Sequence, residues 1–283
     1  MKVLLIAPYI NLNYDRSAEL PNREDFYPSA ALLHLAAILR VNNYEPIIVD
    51  LNNSVVHNQK KKYLDYCKKI IIDSLNEHKP DFVGINCLFS GNFPDVLEFA
   101  TTIKSHSPNL KIVIGGIHPT TFYREILTNC NNIDYVAIGE GENTIIALAA
   151  SIKAKNENLL NSIHSFAYRD KDGTVKVNRK KNYIEDLNSL PMPAWDLINI
   201  NKFEMNLDHY YNPPKLPVKF KAAIFSSRAC PLSCNFCDMF LVMGKKHRKR
   251  RVKTIVDEIE LLNKSYGVNY FSFMDDQLTL NRA

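Results

Sequence analysis

The feature that most narrows the fold is an alternation in the first half of the chain, where short β-branched runs give way repeatedly to segments of helical spacing. The runs are Lys2–Ala7, Ile47–Asp50, Asp81–Asn86, Lys111–Ile114 and Ile133–Ile138. Each is followed by a turn and a helix-like stretch. The clearest runs from Ser29 to Arg40, where Leu32, Leu33, Leu35, Ala36 and Leu39 fall on one side; another lies between Lys61 and Leu75. Strands separated by a helix return in the same direction, so the pattern predicts a parallel sheet with helices on both faces, in the α/β class.

In open parallel sheets, ligands bind beyond the carboxyl ends of the strands. Here those ends read Ser90-Gly91-Asn92, Gly115-Gly116-Ile117-His118-Pro119-Thr120 and Gly139-Glu140-Gly141-Glu142. Glycine at such a turn allows positive φ and a close ligand approach, and the helix N-termini beyond offer free N–H groups to a phosphate. The same glycines also punctuate the turns of any doubly wound fold. Composition alone leaves the two readings level.

The second constraint lies near the other end. Cys230, Cys234 and Cys237 follow the apolar run Ala222–Phe225 in the spacing C-x3-C-x2-C. The run reads as a buried strand, which puts the cysteines on the loop leaving its carboxyl end. Three thiolates on one loop can hold three corners of a four-iron cluster and leave the fourth iron open. Zinc on the same three thiolates and His247 is the competing arrangement, although zinc knuckles usually pair their cysteines as C-x2-C. Three unconnected core cysteines would rarely show this spacing by chance.

With Phe236 before the third cysteine, the loop resembles the C-x3-C-x-aromatic-C signature of radical S-adenosylmethionine enzymes. The resemblance implies a 4Fe-4S cluster on Cys230, Cys234 and Cys237. It also implies S-adenosylmethionine at the open iron, cleaved reductively to a 5′-deoxyadenosyl radical, with an electron donor and a small-molecule substrate as partners. The segment Gly244 to Arg250 resembles the basic stretch after the cluster loop in one large branch of that family. Asp275 and Asp276 end a strand predicted over Tyr270–Met274. The family's polar residues at that place help to hold the amino group of S-adenosylmethionine, though paired carboxylates are also ordinary turn formers.

The first half resembles the cobalamin-binding domain that precedes many such barrels. The resemblance implies a five-stranded Rossmann-like (flavodoxin-like) sheet over residues 1–155 and the start of a (β/α) barrel over 219–283. Residues 156–218 form a linker with a β-hairpin, whose turn is Asp170-Lys171-Asp172-Gly173. Ser90 and Gly115-Gly116 correspond to later motif elements of the cobalamin-binding domain. Gly139 and Glu140 form the turn after its fifth strand, so cobalamin is implied with its nucleotide tail near Gly115, Gly116 and Gly139. The D-x-H-x2-G motif, whose histidine ligates cobalt in many cobalamin proteins, is absent after the first strand. No histidine ligand is therefore expected, and His118 and His34 are read as structural. The family also carries a Leu-Pro-x-Pro-Ala-Trp-Asp segment like Leu190–Asp196, where Trp195 is expected to pack the linker against a domain.

These readings predict a cobalamin-dependent radical S-adenosylmethionine enzyme, with methyl transfer to an unreactive carbon as its reaction. A non-catalytic zinc or nucleic-acid module is the alternative from another class, built on the cysteine loop, His247 and the basic run Lys245–Arg251. The run lacks interleaved aromatics, which disfavours nucleic acid. Lys60-Lys61-Lys62 reads as a solvated helix face. No apolar stretch approaches the roughly 18 residues a membrane span needs, and six cysteines, half of them on one loop, fit a reducing, cytoplasmic setting. Only two barrel strands are foreseen where the family builds about six, so the chain is read as the N-terminal portion of a longer protein. On its own it is expected to cleave S-adenosylmethionine poorly, and residues 219–283 are expected to be less compact than residues 1–155.

Overall fold

A computed structural model describes residues 1–8, 27–53, 60–179, 183–203 and 217–280. The loop between Asn11 and Asp25 and the Asn212-Pro213-Pro214 segment lie outside the described residues, as do the side chains of Lys60-Lys61-Lys62.

The alternation folds as expected. Strands β1 (Lys2–Ala7), β2 (Glu45–Asp50), β3 (Phe82–Asn86), β4 (Lys111–Gly115) and β5 (Tyr135–Ala137) run parallel in the order β2-β1-β3-β4-β5. Burial on both faces explains their unbroken apolar runs. In β1 the alternate residues Val3, Leu5 and Ala7 join one core, and Leu4 and Ile6 join the other. The first core is closed by α1 (Ala30–Val41) and α5 (Glu142–Lys153), through Leu32, Ala36, Ile145 and Leu148. The second is closed by α2 (Lys60–His78), α3 (Phe93–His106) and α4 (Ile117–Asn129), through Cys67, Ile71, Val96, Phe99 and Ile126.

The sheet is wider than five strands. The predicted hairpin forms as β6 (Phe166–Arg169) and β7 (Val175–Asn178), and β6 pairs antiparallel with β5 to complete a seven-stranded sheet. The edge of β5 would otherwise stand open, and the hairpin covers it. Arg169 fastens the join: its guanidinium donates to the carbonyls of Leu127, Cys130 and Asn131 and of Ile133, around the C-terminal end of α4. A cation is favoured at that pole of a helix.

Beyond residue 217, β8 (Phe220–Ile224) and β11 (Val268–Phe273) pair in parallel, linked through α6 (Met239–Met243) and α7 (Val252–Tyr266). Gly267 ends α7 in the left-handed conformation, with φ of 69°. A second, short ladder joins β9 (Ser227–Arg228) to β10 (Arg248–Lys249). This segment is fixed to the sheet through Trp195, which is buried with Leu33 of α1, Phe220, Ala222 and Ile224 of β8, Leu262 of α7 and Val268. Its indole N–H donates to Glu258 at 3.0 Å, Ala194 N–H donates to the Leu33 carbonyl, and Asp196 takes both arms of Arg40. The Leu190–Asp196 stretch thus packs against both regions at once. Tyr27 adds a further link, its hydroxyl 2.6 Å from Ser272 Oγ and its ring 4.8 Å from Lys221 Nζ.

Candidate functional site

The strand order reverses between β1 and β3, which places the ligand crevice of an open sheet beyond the carboxyl ends of those strands. Ser90, Gly115 and Gly116 all lie along that edge. Ser90 is exposed, and its hydroxyl is 2.9 Å from His118 Nδ1. Gly116 has φ of 114°, and a Cβ there would come within 2.5 Å of the Cys87 carbonyl oxygen. The backbone itself therefore demands this glycine, whatever binds beyond it. Gly115 differs: an added Cβ would meet Ala137 Cβ at an ordinary 3.6 Å.

The turn after β5 meets the segment beyond residue 217. Gly139, at φ of 77°, donates its N–H to Thr120 Oγ1, and a Cβ there would sit 3.0 Å from the Val242 carbonyl oxygen in α6. Glu140 is buried, and its carboxylate is already taken: Arg228 at 3.1 Å, Arg248 at 2.8 Å and the Ile184 N–H at 2.7 Å. Gly139 and Glu140, both expected as cofactor contacts, are thus engaged within the protein itself. Gly139 admits the close approach of α6, and Glu140 fastens the loops of the second region to the sheet.

Glu142 completes the junction, 2.6 Å from Arg228. Burial works against the charge of Glu142, but Arg228 outweighs it and holds the carboxyl below its ordinary range. The Arg228 guanidinium is held still more firmly charged, because Glu142 and Glu140 overcome its own burial. Arg228 stands two residues before Cys230, with Ala229 between them at φ of 73°. The root of the cysteine loop is thereby bolted to the fifth turn of the sheet.

Cys230, Cys234 and Cys237 are free thiols on one loop, Cys234 exposed and the others half-buried. The loop turns back on itself through the Cys237 N–H to Cys234 carbonyl bond. Among the described residues, no three histidine, cysteine or acidic side chains gather as they would around one metal ion. A cluster differs from a single ion, because its thiolates sit on separate irons and need not converge. Free, soft and partly exposed thiols suit an iron–sulfur cluster and are equally open to zinc on the same three and His247.

Asp275 is engaged within the fold. Its carboxylate accepts from the Ser226 N–H at 3.1 Å, from Ser226 Oγ at 2.7 Å and from Ser227 Oγ, which ties the end of β11 to the start of the cysteine loop. Asp276 is the more open of the two. Burial and its neighbour Asp275 raise its pKa, and His247 opposes that rise.

The basic run also divides. Arg248 is buried against Glu140, and Arg250 lies 2.7 Å from Glu258. Lys246 pairs with the exposed Glu185, and Lys245 Nζ donates to Ser233 Oγ inside the cysteine loop. A binding patch for nucleic acid needs these cations turned to solvent, and the two central arginines are turned inward. His34 lines a cavity of about 80 Å³ with Ser227, Arg228 and Arg250. Burial, then the two arginines, push its pKa down to about 3. Arg228, Glu142, Glu258 and Trp195 carry the junction, and sequence reasoning assigned none of the three charged residues a role.

The comparisons with known proteins agree with this geometry. Residues 21–149 match the model of the B12 binding domain. Over that stretch the chain carries a B12-binding domain, and across its length it is similar to cobalamin-dependent radical S-adenosylmethionine proteins. It is 28% identical over 282 residues to an uncharacterized methyltransferase of Pyrococcus horikoshii, covering 100% of this chain and 55% of the relative. It is also 28% identical over 305 residues to the cytidylyl-2-hydroxyethylphosphonate methyltransferase of Streptomyces wedmorensis, covering 98% and 55%. The chain thus spans about half the length of these curated relatives. Among solved structures, the cobalamin-dependent S-adenosylmethionine radical enzyme OxsB, with aqua-cobalamin and S-adenosylmethionine bound, superposes with a TM-score of 0.73 at 19% identity, covering 97% of this chain and 34% of that one. At that identity the likeness is one of fold. The family resemblance drawn from the cysteine loop and the glycine turns is borne out. No described helix is long and apolar enough to cross a membrane.

Proposed function

We propose that the chain is part of a cobalamin-dependent radical S-adenosylmethionine enzyme that transfers a methyl group to an unactivated carbon. The observation that carries this reading is the Arg228 junction, because it sets the cysteine loop beside the same end of the sheet at which a B12-binding domain takes its ligand. Ser90 and Gly115 are the contacts proposed for cobalamin, and Cys230, Cys234 and Cys237 the ligands of a 4Fe-4S cluster. Asp276 is the carboxylate proposed to face S-adenosylmethionine. The bound groups would supply an electron for cleaving S-adenosylmethionine and a carrier for the methyl group.

The chain's own residues prepare that chemistry. Asp275 and Arg228 hold the two ends of the strand-to-loop passage, so the thiolates are presented from a fixed root. Lys245 fixes the Ser233 side of the loop. Residues 1–155 are proposed as the cobalamin domain, 156–218 as the connection and 219–283 as the start of the barrel; the hairpin of that connection adds two strands to the first domain's sheet.

Anaerobic reconstitution with iron and sulfide, followed by metal and acid-labile sulfide analysis, tests the assignment. Iron with sulfide is expected, and its loss in Cys230→Ala, Cys234→Ala and Cys237→Ala. Zinc without sulfide, or a full cluster in any of the three variants, would overturn it.

A further inference from the structure

Ser90 and His118 meet across the turns that follow β3 and β4, with 2.9 Å between Oγ and Nδ1. The imidazole is clasped by two rings, Phe93 at 4.4 Å and Phe122 at 4.9 Å between centroids. Its Nε2 is buried and has no hydrogen-bond partner among the described residues. Burial also keeps the ring's pKa below its ordinary value, so at neutral pH it carries a single N–H.

Two tautomers remain, and they differ in what they leave unsatisfied. With the proton on Nε2, a buried N–H would have no acceptor. With the proton on Nδ1, only a lone pair is left over, and a buried donor without a partner is the rarer and more costly of the two. Nδ1–H therefore donates to Ser90 Oγ. The serine's own hydrogen cannot point back at a donor, so it turns outward, on an exposed residue at the ligand edge of the sheet.

We infer that His118 is a positioning residue that fixes the Ser90 hydroxyl as an outward hydrogen-bond donor, and that the ligand at this edge presents an acceptor to it. The inference replaces the idle structural role read from the sequence. It rests on the cobalamin reading, in which the acceptors in question are the phosphate oxygens and ring nitrogen of the nucleotide tail. Cobinamide keeps the corrin ring but lacks that tail.

Equilibrium binding of cobalamin and of cobinamide to the full chain tests it. His118→Phe keeps a ring between Phe93 and Phe122 but removes the donor; it should weaken cobalamin about fivefold, the equivalent of about 1 kcal/mol, and leave cobinamide unchanged. His118→Asn, which returns an N–H near the place of Nδ1, should restore the affinity. In a Ser90→Ala background, His118→Phe should add nothing further. His118→Leu is made in parallel, so that a folding defect in one apolar variant does not decide the matter. Unchanged cobalamin affinity in the apolar variants, an equal loss for cobinamide, or a full additional loss in the Ser90→Ala background would each overturn the inference. Wild-type protein that binds neither corrinoid would instead overturn the cobalamin reading beneath it.

Discussion

Residues 1–179 and residues 217–280 are built from the same βα vocabulary, yet they bury it differently. In the first region β1 shows apolar side chains to two cores and nearly every one is covered. In the second, β8 is buried but β11 is mostly not, and Phe273, Met274, Val252 and Val256 remain exposed, Val252 at 75%. A complete layered sheet supplies its own core, whereas a single parallel strand pair with its two helices and a short ladder does not. The second region therefore depends on its joins to the first: the apolar cluster of Leu33 and Trp195 with β8 and α7, the buried pairs of Arg228 and Arg248 with Glu140 and Glu142, and Arg40 with Asp196. The contrast teaches where the molecule should fail first.

Arg228→Ala should have the largest effect, because it leaves Glu142 buried without its cation. Breaking a buried pair from one side costs about 3–5 kcal/mol. Limited proteolysis should then cut within 217–280 while a fragment containing the seven-stranded sheet survives; simultaneous loss of both regions would erase the distinction between them.

Gly116→Ala comes next and acts inside the first region alone. A left-handed backbone position together with a contact at 2.5 Å should cost about 1–3 kcal/mol, read by chemical denaturation. Gly115→Ala, one residue earlier, should fall below about 1 kcal/mol because its Cβ has room. The glycine pair is thus one structural requirement beside one permissive position. A valine at Gly116 would damage the turn before it reported on any ligand, so substitutions at Gly115 are the cleaner probe of cobalamin.

The pH dependence sharpens the junction further. His34 is neutral in the fold, its pKa moved from 6.5 to about 3. A histidine with a depressed folded pKa binds fewer protons than the unfolded chain between those values, so its contribution is fully present above pH 6.5 and is lost as pH falls toward 3. The wild type should therefore lose more stability than His34→Phe on passing from pH 7 to pH 5 in denaturation measurements. Equal losses would show that the cavity beside Arg228 does not exclude the proton.

Arg40→Ala should have the smallest effect, below about 1 kcal/mol, because both partners of the Asp196 pair are substantially exposed. A larger loss would move the weight of the join from Trp195 to the surface.

The sheet was legible because strands buried on two faces leave uninterrupted apolar runs, and because Gly116, Gly139 and Gly267 mark turns that the backbone requires. The cysteine loop was legible from its spacing. The attachment of the hairpin to β5 was not, since Phe166–Arg169 gives no sign of which edge it will cover. Nor was the junction: Arg228 meets Glu140 and Glu142 across 88 and 86 residues, and a single sequence says nothing about which distant carboxylate an arginine will choose. The partners of Glu140 and Asp275 were hidden for the same reason. Each sits where a ligand contact is expected, and each is already engaged by a partner far along the chain.

The central claim is that the junction sets the cysteine loop beside the ligand edge of the B12-binding domain. Electron paramagnetic resonance of the anaerobically reconstituted chain, loaded with cobalamin in its cobalt(II) state, tests this most directly. The cobalt signal is recorded with the cluster oxidised and then reduced. Reduction should broaden the cobalt signal or speed its relaxation, and Arg228→Ala should diminish that effect while both groups remain bound. A cobalt signal indifferent to the state of the cluster in the wild type would contradict the account.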